Sequence, residues 1–477
     1  MESSRLRTES ERLWEAEILP TIEDYIRIPN KSPAYDANWR PNMDRAVALL
    51  RGWCEARPIP GLKVSVESWE GHTPVLLLDV PDSDGSGAGD TALFYGHLDK
   101  QPEFTGWREG LEPWKPVREG SRLYGRGGAD DGYSAFAALA AIEALQKAGG
   151  RHARCLALIE ASEESGSPDL EHYLAALAGI IGKPSLVLAL DSGCANYQQL
   201  WASTSLRGLV TGTLRVEVMS EGKHSGAAGG IVPSSFRIAR QVLSRLEDPA
   251  TGEIVLPELQ APIPEVRRQE VAQLVANLGE HAVEGFPTVP GLRLLGDDLQ
   301  ERILNNTWRA CLEVTGIDGA PATKDAGNVL RPFTALRLAM RLPPTCKPEA
   351  AASAMKAALE HDPHHGARVT FEIDQAAEGW NAAPNPPWLA AALDEGSRLA
   401  FGKPAGFMGE GGTIPFLTML SQRYPGVQIL ALGVLGPESN AHGPNEFLDL
   451  EMAKGLTTAV AFMLDAHARR PSRTGSS

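Results

Sequence analysis

The chain of 477 residues is long enough for two domains, or for one domain that carries a large insertion. Its formal net charge of −15 argues against binding to nucleic acid or to anionic membranes, because both are recognised through basic surfaces. No apolar run approaches the ~18 residues of a membrane span, and the charged N-terminus lacks a signal core. The five scattered cysteines contain no CxxC pair, so we expect neither a disulfide framework nor a Cys-ligated zinc site. These features favour a cytoplasmic protein.

Apolar residues at helical spacing predict an amphipathic helix over residues 9–28 and another helix over residues 44–55. Residues 75–80 and 91–95 are apolar runs of strand length. The second run continues into Gly96-His97-Leu98-Asp99, which would bring an imidazole and a carboxylate to the rim of a sheet. Ligands of open α/β sheets bind just past the carboxyl ends of strands. A histidine at such a place is more often structural than metal-binding, so its interpretation depends on partners elsewhere in the chain.

The next segments alternate between strands and helices. An Ala-rich helix is predicted over residues 133–148, where a Gly-Gly pair ends it. Strands are predicted over residues 155–161, which Glu163-Glu164 follow, and over residues 186–190, which Asp191 follows. Strand–helix–strand alternation is typical of a largely parallel sheet flanked by helices. The predicted fold class is therefore α/β, with a mixed, largely parallel sheet.

The pattern changes near Ser205. Alternation of apolar and polar residues predicts a half-buried strand over residues 209–218, and further strands are expected over residues 336–342 and 369–373. A helix is expected over residues 267–278, within a stretch rich in Pro and Glu. We interpret this region as a smaller α+β domain that is inserted into the α/β domain.

The α/β pattern then resumes, with a helix over residues 387–399, a strand over 427–435 and a last helix over 450–468. His442 follows that strand. The predicted organisation is, in order, the first part of the α/β domain (1–205), the inserted domain (206–375), the second part of the α/β domain (376–470) and a disordered tail (471–477).

Two imidazoles and three carboxylates stand at predicted strand ends or just beyond them. They are His97, Asp130, Glu164, Asp191 and His442. Zn²⁺ accepts His nitrogen and carboxylate oxygen at about 2.0–2.2 Å. These ligands are too few for two separate divalent sites, but they suffice if one carboxylate bridges two metals. Two such ions about 3.5–4 Å apart can share a hydroxide and polarise a carbonyl group.

In this order, the residues resemble the motifs of the co-catalytic metallopeptidases. That family includes carnosinase, cytosolic nonspecific dipeptidase, acetylornithine and succinyl-diaminopimelate deacylases, aminoacylase-1 and the glutamate carboxypeptidases. The resemblance covers most of the chain, and as a set the motifs are most similar to those of the carnosinase-like dipeptidases. The motifs are Tyr95-Gly96-His97-Leu98-Asp99, Gly127-x-x-Asp130-Asp131-Gly132, Glu163-Glu164-Ser165-Gly166-Ser167, Lys223-His224-Ser225-Gly226, Glu410-Gly411-Gly412-Thr413-Ile414-Pro415 and Ala441-His442.

The resemblance implies a role for each predicted ligand. Asp130 would bridge two metal ions, and the peptide bond after it would be cis. His97 and Asp191 would complete one site, while Glu164 and His442 would complete the other. Zinc is the expected metal, with manganese and cobalt as alternatives.

The resemblance also implies the catalytic residues. Glu163 would be the general base that takes a proton from the bridging water and passes it to the leaving amine. Asp99 would accept the second ring N–H of His97 and so fix the orientation of that ring. His224 would reach from the inserted domain into the active site of a second copy of the chain and stabilise the oxyanion. The implied assembly is a homodimer formed through the inserted domain.

Substrate recognition would use a further set of residues. Arg341 would bind the substrate carboxylate, because a guanidinium group can form two parallel bonds with it. Asn328 stands where the family has a Thr that is donated across the dimer. The loop residues expected to line the pocket are Glu410, Gly411, Gly412 and Thr413. The alternatives are that His224 is an ordinary exposed loop histidine and that Arg341 is a surface arginine beside Arg337.

The sequence departs from the carnosinase-like pattern at two positions. Gly132 stands where Lys is usual, and Gly409 stands where Arg is usual. Both changes remove positive charge near the cleft and leave the substrate preference open. The implied activity is metal-dependent hydrolysis of the amide bond of a dipeptide or small peptide. An N-acyl-amino-acid deacylase or a carboxypeptidase would use the same site, and a non-catalytic binding protein on the same fold is the more distant alternative.

Overall fold

The computed structural model describes residues 1–84, 90–283 and 285–470, apart from the side chain of Pro415. The predicted disordered tail, residues 471–477, lies outside the described residues. The strands, in chain order, are β1 (Lys63–Glu67), β2 (Val75–Val80), β3 (Thr91–His97), β4 (Val117–Glu119), β5 (Arg122–Tyr124), β6 (Arg154–Glu160), β7 (Leu186–Ala189), β8 (Trp201–Leu206), β9 (Gly208–Glu217), β10 (Lys223–His224), β11 (Cys311–Asp318), β12 (Val329–Leu330), β13 (Phe333–Leu342), β14 (Arg368–Ala377), β15 (Trp380–Asn381), β16 (Gly406–Glu410), β17 (Gln428–Leu432) and β18 (Phe447–Asp449).

A π-helical turn, Trp14–Ile18, joins the first two helices, so the helix expected over residues 9–28 is two α-helices in one continuous run. The α-helices are α1 (Ser3–Leu13), α2 (Leu19–Ile26), α3 (Arg40–Glu55), α4 (Ser134–Lys147), α5 (Leu170–Ala176), α6 (Ala178–Ile181), α7 (Ser225–Ala228), α8 (Ser235–Leu243), α9 (Glu265–Leu278), α10 (Leu299–Thr307), α11 (Pro348–Glu360), α12 (Pro387–Phe401), α13 (Pro415–Arg423) and α14 (Leu450–Arg469). Among the described residues, no helix combines the length and the apolarity needed to cross a bilayer.

The chain divides into two compact units. The first comprises Met1–Thr204, Ala382–Met408 and the residues from Met419 onward, and the second comprises Ser205–Asn381 and Gly409–Thr418. Residues 409–418 thus lie in the second unit, although the sequence placed them in the α/β domain. Short contacts explain this, because the hydroxyl of Thr413 donates to the carbonyl of Arg207 at 2.6 Å.

The first unit is built on a sheet with the strand order β1-β2-β6-β3-β7-β17-β8. β6, β3, β7 and β17 are mutually parallel, while β1, β2 and β8 are antiparallel to their neighbours. Every residue of β3 is buried, as expected for a parallel strand covered on both faces. Helix α4 packs against β3 and against α1 and α14. The predicted fold class, a largely parallel sheet flanked by helices, is confirmed.

The second unit contains a four-stranded antiparallel sheet in the order β11-β13-β9-β14. Burial alternates along β9, so one face of the sheet is covered and the other is more open. The covered face carries residues such as Leu214 and Leu338, which join a core with Ile238 of α8 and Met355 of α11. The unit therefore has a hydrophobic core of its own.

Candidate metal centre

Three neighbouring parallel strands of the first unit end at one edge of the sheet. The strand order β6-β3-β7 and their shared direction bring their carboxyl ends together. The predicted ligands arrive there as follows: His97 ends β3, Glu164 follows β6, Asp191 follows β7, Asp130 lies in the turn Gly128–Gly132 before α4, and His442 lies in the loop between β17 and β18. Ligand sites of open α/β sheets occur at this position.

The five predicted ligands form two triads that share Asp130. In the triad of His97, Asp130 and Asp191 the ligand atoms lie within 4.8 Å of one another, and the same holds for Asp130, Glu164 and His442. Oδ1 of Asp130 lies 3.2 Å from His97 Nε2, and Oδ2 lies 3.0 Å from His442 Nε2. The two oxygens of one carboxylate therefore face different triads, which is the arrangement that a bridging ligand requires.

The two triads concentrate negative charge in a buried place. Burial, followed by the charge of Asp191, raises the pKa of Glu163, and burial, followed by the charge of Asp130, raises the pKa of Glu164. Burial is also the main reason that the pKa of Asp191 rises to about 7. Oε1 of Glu164 is buried without a hydrogen-bond partner. Divalent cations would satisfy this oxygen and stabilise the ionised carboxylates, so the residues fit a pair of such cations.

Glu163 lies beside the triads without belonging to either of them. Its Oε2 is 4.0 Å from His97 Nε2, and its side chain is 17% exposed. The next residue, Glu164, directs its Oε2 towards His442 Nε2 at 3.3 Å. Because both residues lie in the short 3₁₀ turn that follows β6, one can serve as a ligand while its neighbour stays outside both triads.

The side chain of Asp99 organises two parts of the centre. Its Oδ1 is 3.4 Å from His97 Nδ1, and the main-chain oxygen of Asp99 is 3.1 Å from the same ring nitrogen. The carboxylate also accepts from the backbone N–H groups of Glu163 at 3.1 Å and of Glu164 at 3.0 Å. This second role, as an anchor for the Glu163-Glu164 turn, was not expected from the sequence.

Two more side chains support the ligands, and the sequence contained no signal for either role. Gln101 donates from its amide to Glu164 Oε2 at 2.6 Å. Asp131 accepts from the backbone N–H of His97 at 3.0 Å, so its carboxylate holds the end of β3. The peptide bond between Asp130 and Asp131 is cis, as the resemblance implies.

The two departures from the family pattern have a steric reason. A Cβ on Gly132 would lie 2.1 Å from a ring carbon of Tyr25 and 2.6 Å from the carbonyl oxygen of Gly127. A Cβ on Gly409 would lie 2.7 Å from the hydroxyl of Ser205. Both distances are far below van der Waals contact, so neither position has room for the basic side chain that is usual there.

Within the second unit, the structure brings His224 and Asn328 together. β10 pairs with β12, and the backbone N–H of Ser225 donates to the carbonyl of Asn328 at 2.8 Å. His224 is exposed, and its Nδ1 accepts from the N–H of Gly226 at 3.2 Å.

The other substrate-binding candidates also lie in the second unit. Arg341 donates to the Thr413 hydroxyl at 2.9 Å, and Arg207 donates to the carbonyl of Gly411 at 3.1 Å. The loop of Glu410, Gly411, Gly412 and Thr413 is thus tied to two guanidinium groups. Burial, followed by the positive charge of Arg207, lowers the pKa of Arg341.

Two candidate metal-binding triads that share one carboxylate, at the carboxyl edge of an α/β sheet, are the arrangement expected of a dinuclear metallohydrolase. Residues 93–466 match the family model described as Peptidase family M20/M25/M40, and the chain belongs to this family. The predicted resemblance and the predicted class of activity, metal-dependent peptide hydrolysis, are confirmed at this level.

Curated relatives match along most of the chain. The Cys-Gly metallodipeptidase dug1 of Schizosaccharomyces pombe is 26% identical over 376 residues, which cover 77% of this chain and 78% of the relative. The Beta-Ala-His dipeptidase of Mus musculus is 26% identical over 491 residues, which cover 95% and 93% of the two chains. The solved structure of the di-peptidase Dug1p from Saccharomyces cerevisiae has a TM-score of 0.75 at 22% identity, covering 98% of this chain and 99% of that one. That similarity supports the fold.

Proposed function

We propose that this chain is a zinc-dependent dipeptidase that hydrolyses the amide bond of dipeptides at a dinuclear metal centre. The observation that carries the proposal is the orientation of Asp130, whose two oxygens face His97 at 3.2 Å and His442 at 3.0 Å. The relatives are named for Cys-Gly and Beta-Ala-His dipeptides. These dipeptides differ in their side chains and, at β-alanine, in the length of the backbone, but they share a single amide bond close to a free carboxylate.

Two divalent cations, when bound, would supply Lewis-acid activation of water and of the scissile carbonyl group. His97 and Asp191 would hold one cation, Glu164 and His442 would hold the other, and Asp130 would contact both. Zinc is proposed because imidazole nitrogen and carboxylate oxygen are among its preferred ligands. Mn²⁺ and Co²⁺ accept the same donors, so the choice of metal needs a direct test.

We assign the proton transfers to Glu163. Its carboxylate lies 4.0 Å from His97 Nε2, beside the two triads, so it would be near a water activated by cations bound there. Burial raises the pKa of Glu163 above that of an exposed carboxyl group, which makes the carboxylate a better base. Glu163 would accept the proton of the attacking water and release it to the amine of the departing residue.

Arg341 is the proposed binding group for the carboxylate of the substrate. Among the described residues, no carboxylate pairs with Arg341, whose side chain donates to Thr413. Burial, followed by the positive charge of Arg207, lowers the pKa of Arg341, and the two guanidinium groups repel each other. An anionic substrate group would relieve this repulsion and could form a bidentate pair.

We further propose that the protein acts as a homodimer, with His224 and Asn328 of one copy completing the active site of the other. The exposure of His224, and its pairing with the Asn328 segment through β10 and β12, support this assignment. A preorganised imidazole donor suits the stabilisation of an oxyanion. Mixing a His224→Ala variant with a Glu163→Gln variant tests this assignment. In the mixed dimer, the copy with an intact Glu163 would receive an intact His224 from its partner, so activity should return only if His224 is shared between copies.

A cytoplasmic location is also proposed. All five cysteines are free thiols, and all except Cys311 are buried, which suits a reducing compartment. Cell fractionation with detection of the chain tests this; recovery outside the cytoplasm would contradict it.

A substrate panel with Zn²⁺, Mn²⁺ and Co²⁺ added in turn tests the activity. We expect turnover of dipeptides, a loss of at least about 100-fold in kcat for Glu163→Gln, and near wild-type kcat for the control Glu103→Gln. Turnover of N-acyl amino acids without turnover of any dipeptide would identify a deacylase instead. Release of C-terminal residues from longer peptides only would identify a carboxypeptidase. Full activity in Glu163→Gln would refute the assignment of the base.

A further inference from the structure

A buried ion pair connects the segment that leads to Asp130 with the loop that carries His442. Nη1 of Arg126 lies 2.5 Å from Oε2 of Glu446, and the two side chains are 1% and 0% exposed. Nη2 of Arg126 donates to the carbonyl oxygen of Gly443 at 2.7 Å, and Oε1 of Glu446 accepts from the backbone N–H of Gly127 at 2.9 Å. We refer to Arg126, Gly127, Gly443 and Glu446 as the Arg126–Glu446 clasp.

The His442 loop depends on contacts of this kind. The His442 side chain is 56% exposed, whereas the other two members of its triad, Asp130 and Glu164, are 7% and 3% exposed. The backbone is left-handed at His442 (φ 62°), and likewise at Glu438 and Asn445. Residues other than glycine adopt this conformation uncommonly, so local preference alone does not hold the loop in shape.

The clasp acts directly next to two ligands. Gly443 follows His442 in the chain, and Gly127 lies three residues before Asp130. Holding both segments fixes the 3.0 Å approach of His442 Nε2 to Asp130 Oδ2. A shift of about 1 Å in this loop would take the imidazole out of the range of a metal shared with Asp130, because metal–ligand distances tolerate only about 0.2 Å.

The other triad is positioned differently. His97 ends β3 and Asp191 follows β7, and these two strands are hydrogen-bonded in parallel, with Tyr95 opposite Ala189. The sheet therefore holds the two unshared ligands of this triad without help from Arg126, so only the shared Asp130 is close to the clasp. A change in the clasp should act on one metal site and leave the other in place.

We infer that the Arg126–Glu446 clasp is a positioning device that sets the metal affinity of the triad of Asp130, Glu164 and His442. The inference rests on the proposed function, since it requires a metal at this triad. Stability alone is a poor explanation for such a pair, because desolvation offsets much of the attraction between buried charges. Neither Arg126 nor Glu446 contacts the reacting groups, and both act through the loop.

Metal titration of the metal-free protein with Zn²⁺ by calorimetry, and with Co²⁺ by visible absorption, tests the inference. In Arg126→Met and Glu446→Gln, we expect one site to weaken at least about tenfold and the other to stay within about twofold of wild type. His442→Ala identifies the titration step that belongs to this triad. Arg126→Lys keeps the charge but offers fewer directed donors, so it should restore part of the affinity.

Arg122→Met is the matched control. It removes an exposed pair, Arg122 with Glu438 at 3.0 Å, which joins the same two segments of the chain. We expect both metal affinities to stay at the wild-type value, since this pair touches neither Gly127 nor Gly443.

Unchanged affinity of both sites in Arg126→Met and Glu446→Gln would overturn the inference. Equal weakening of both sites would also overturn it, because that result indicates a general loss of structure. If Arg126→Met does not fold, Glu446→Gln decides, since it keeps the side-chain size and replaces one acceptor oxygen by an amide donor. Wild-type protein that binds no metal would refute the proposed function itself, so the two failures are distinguishable.

Discussion

Replacing Asp99 by Asn tests whether one buried carboxylate positions both a metal ligand and the general base. Asp99 is fully buried. Its oxygens accept from the backbone N–H groups of Glu163 at 3.1 Å and Glu164 at 3.0 Å, and Oδ1 lies 3.4 Å from His97 Nδ1. Asn has nearly the same shape but presents an NH₂ group in place of one oxygen. The backbone N–H of Glu163 or that of Glu164 must then face the new NH₂ group, which cannot accept its hydrogen bond.

The size of the effect follows from these contacts. A hydrogen bond to a charged group contributes about 1.5–3 kcal/mol, and a buried N–H without an acceptor costs about 1–3 kcal/mol. The metal-free Asp99→Asn variant should therefore lose about 2.5–6 kcal/mol of unfolding free energy. Loss of a group that orients metal ligands lowers metal affinity or activity by about 10–100-fold, and we expect kcat/KM to fall within this range.

Asp169→Asn is a matched control. Asp169 accepts from the backbone N–H of Thr73 at 2.9 Å and lies 2.8 Å from Nδ1 of His72, a histidine that is not a predicted ligand. The control should lose stability while its metal affinity stays near the wild-type value. The assays are thermal unfolding of the metal-free protein, calorimetric metal titration and kcat/KM. Wild-type metal affinity and kcat/KM in Asp99→Asn would refute the reasoning, as would an equal loss of metal affinity in the control.

Three further changes give separate expectations. Arg341→Met should raise KM for dipeptides by about 10–100-fold, because a charge-assisted pair of about 1.5–3 kcal/mol is lost, whereas Arg337→Met on the same strand should leave KM unchanged. Burial raises the pKa of Glu160 from 4.5 to about 7. Between pH 4.5 and about 7, the folded protein therefore holds a proton that the unfolded chain releases, so stability falls as the pH rises through this range. Glu160→Gln should remove this fall and gain up to about 3 kcal/mol over wild type at pH 8, with little difference at pH 4.5, as measured by denaturant unfolding. Gly132→Ala should lose about 1–3 kcal/mol through overpacking against a buried tyrosine, while Gly52→Ala, in an open helical position, should gain about 0.5–1 kcal/mol.

Each of these expectations has a contradicting result. Equal KM values for the two arginine variants would refute the assignment of Arg341 as the group that binds the substrate carboxylate. A pH-independent difference between Glu160→Gln and wild type would show that this carboxyl group titrates in the same range in both states. Unchanged stability of Gly132→Ala would mean that the surrounding side chains can move aside.

Three of the predicted ligands, His97, Glu164 and Asp191, were suggested by the sequence because each ends or closely follows an apolar run, whereas Asp130 and His442 were suggested by the family motifs. The run that ends at His97 is buried along its whole length, and such runs are visible in the sequence without knowledge of their partners. Two strands were harder to predict. β11 of the second unit is exposed along most of its length, and half of the residues of β8, in the sheet of the first unit, are Ser or Thr, so neither has the apolar pattern of a strand.

Supporting contacts were the least predictable part of the site. Arg126 and Glu446 are 320 residues apart in the chain, and their pairing depends on how β5 and β18 come together. The anchoring of the Glu163-Glu164 turn by Asp99 likewise depends on the parallel register of β3 and β6, which places His97 opposite Glu160. Such contacts between distant segments leave no periodic pattern in the sequence, so they become visible only in the folded chain.

The metal content of the purified protein tests the central claim, that Asp130 is shared by two metal sites. Wild-type protein equilibrated with Zn²⁺ and freed of excess metal should hold two equivalents of zinc per chain. His442→Ala should hold one, and Asp130→Ala should hold less than one, because it removes a ligand from both triads. Two equivalents in Asp130→Ala, or less than one in the wild type, would contradict the account.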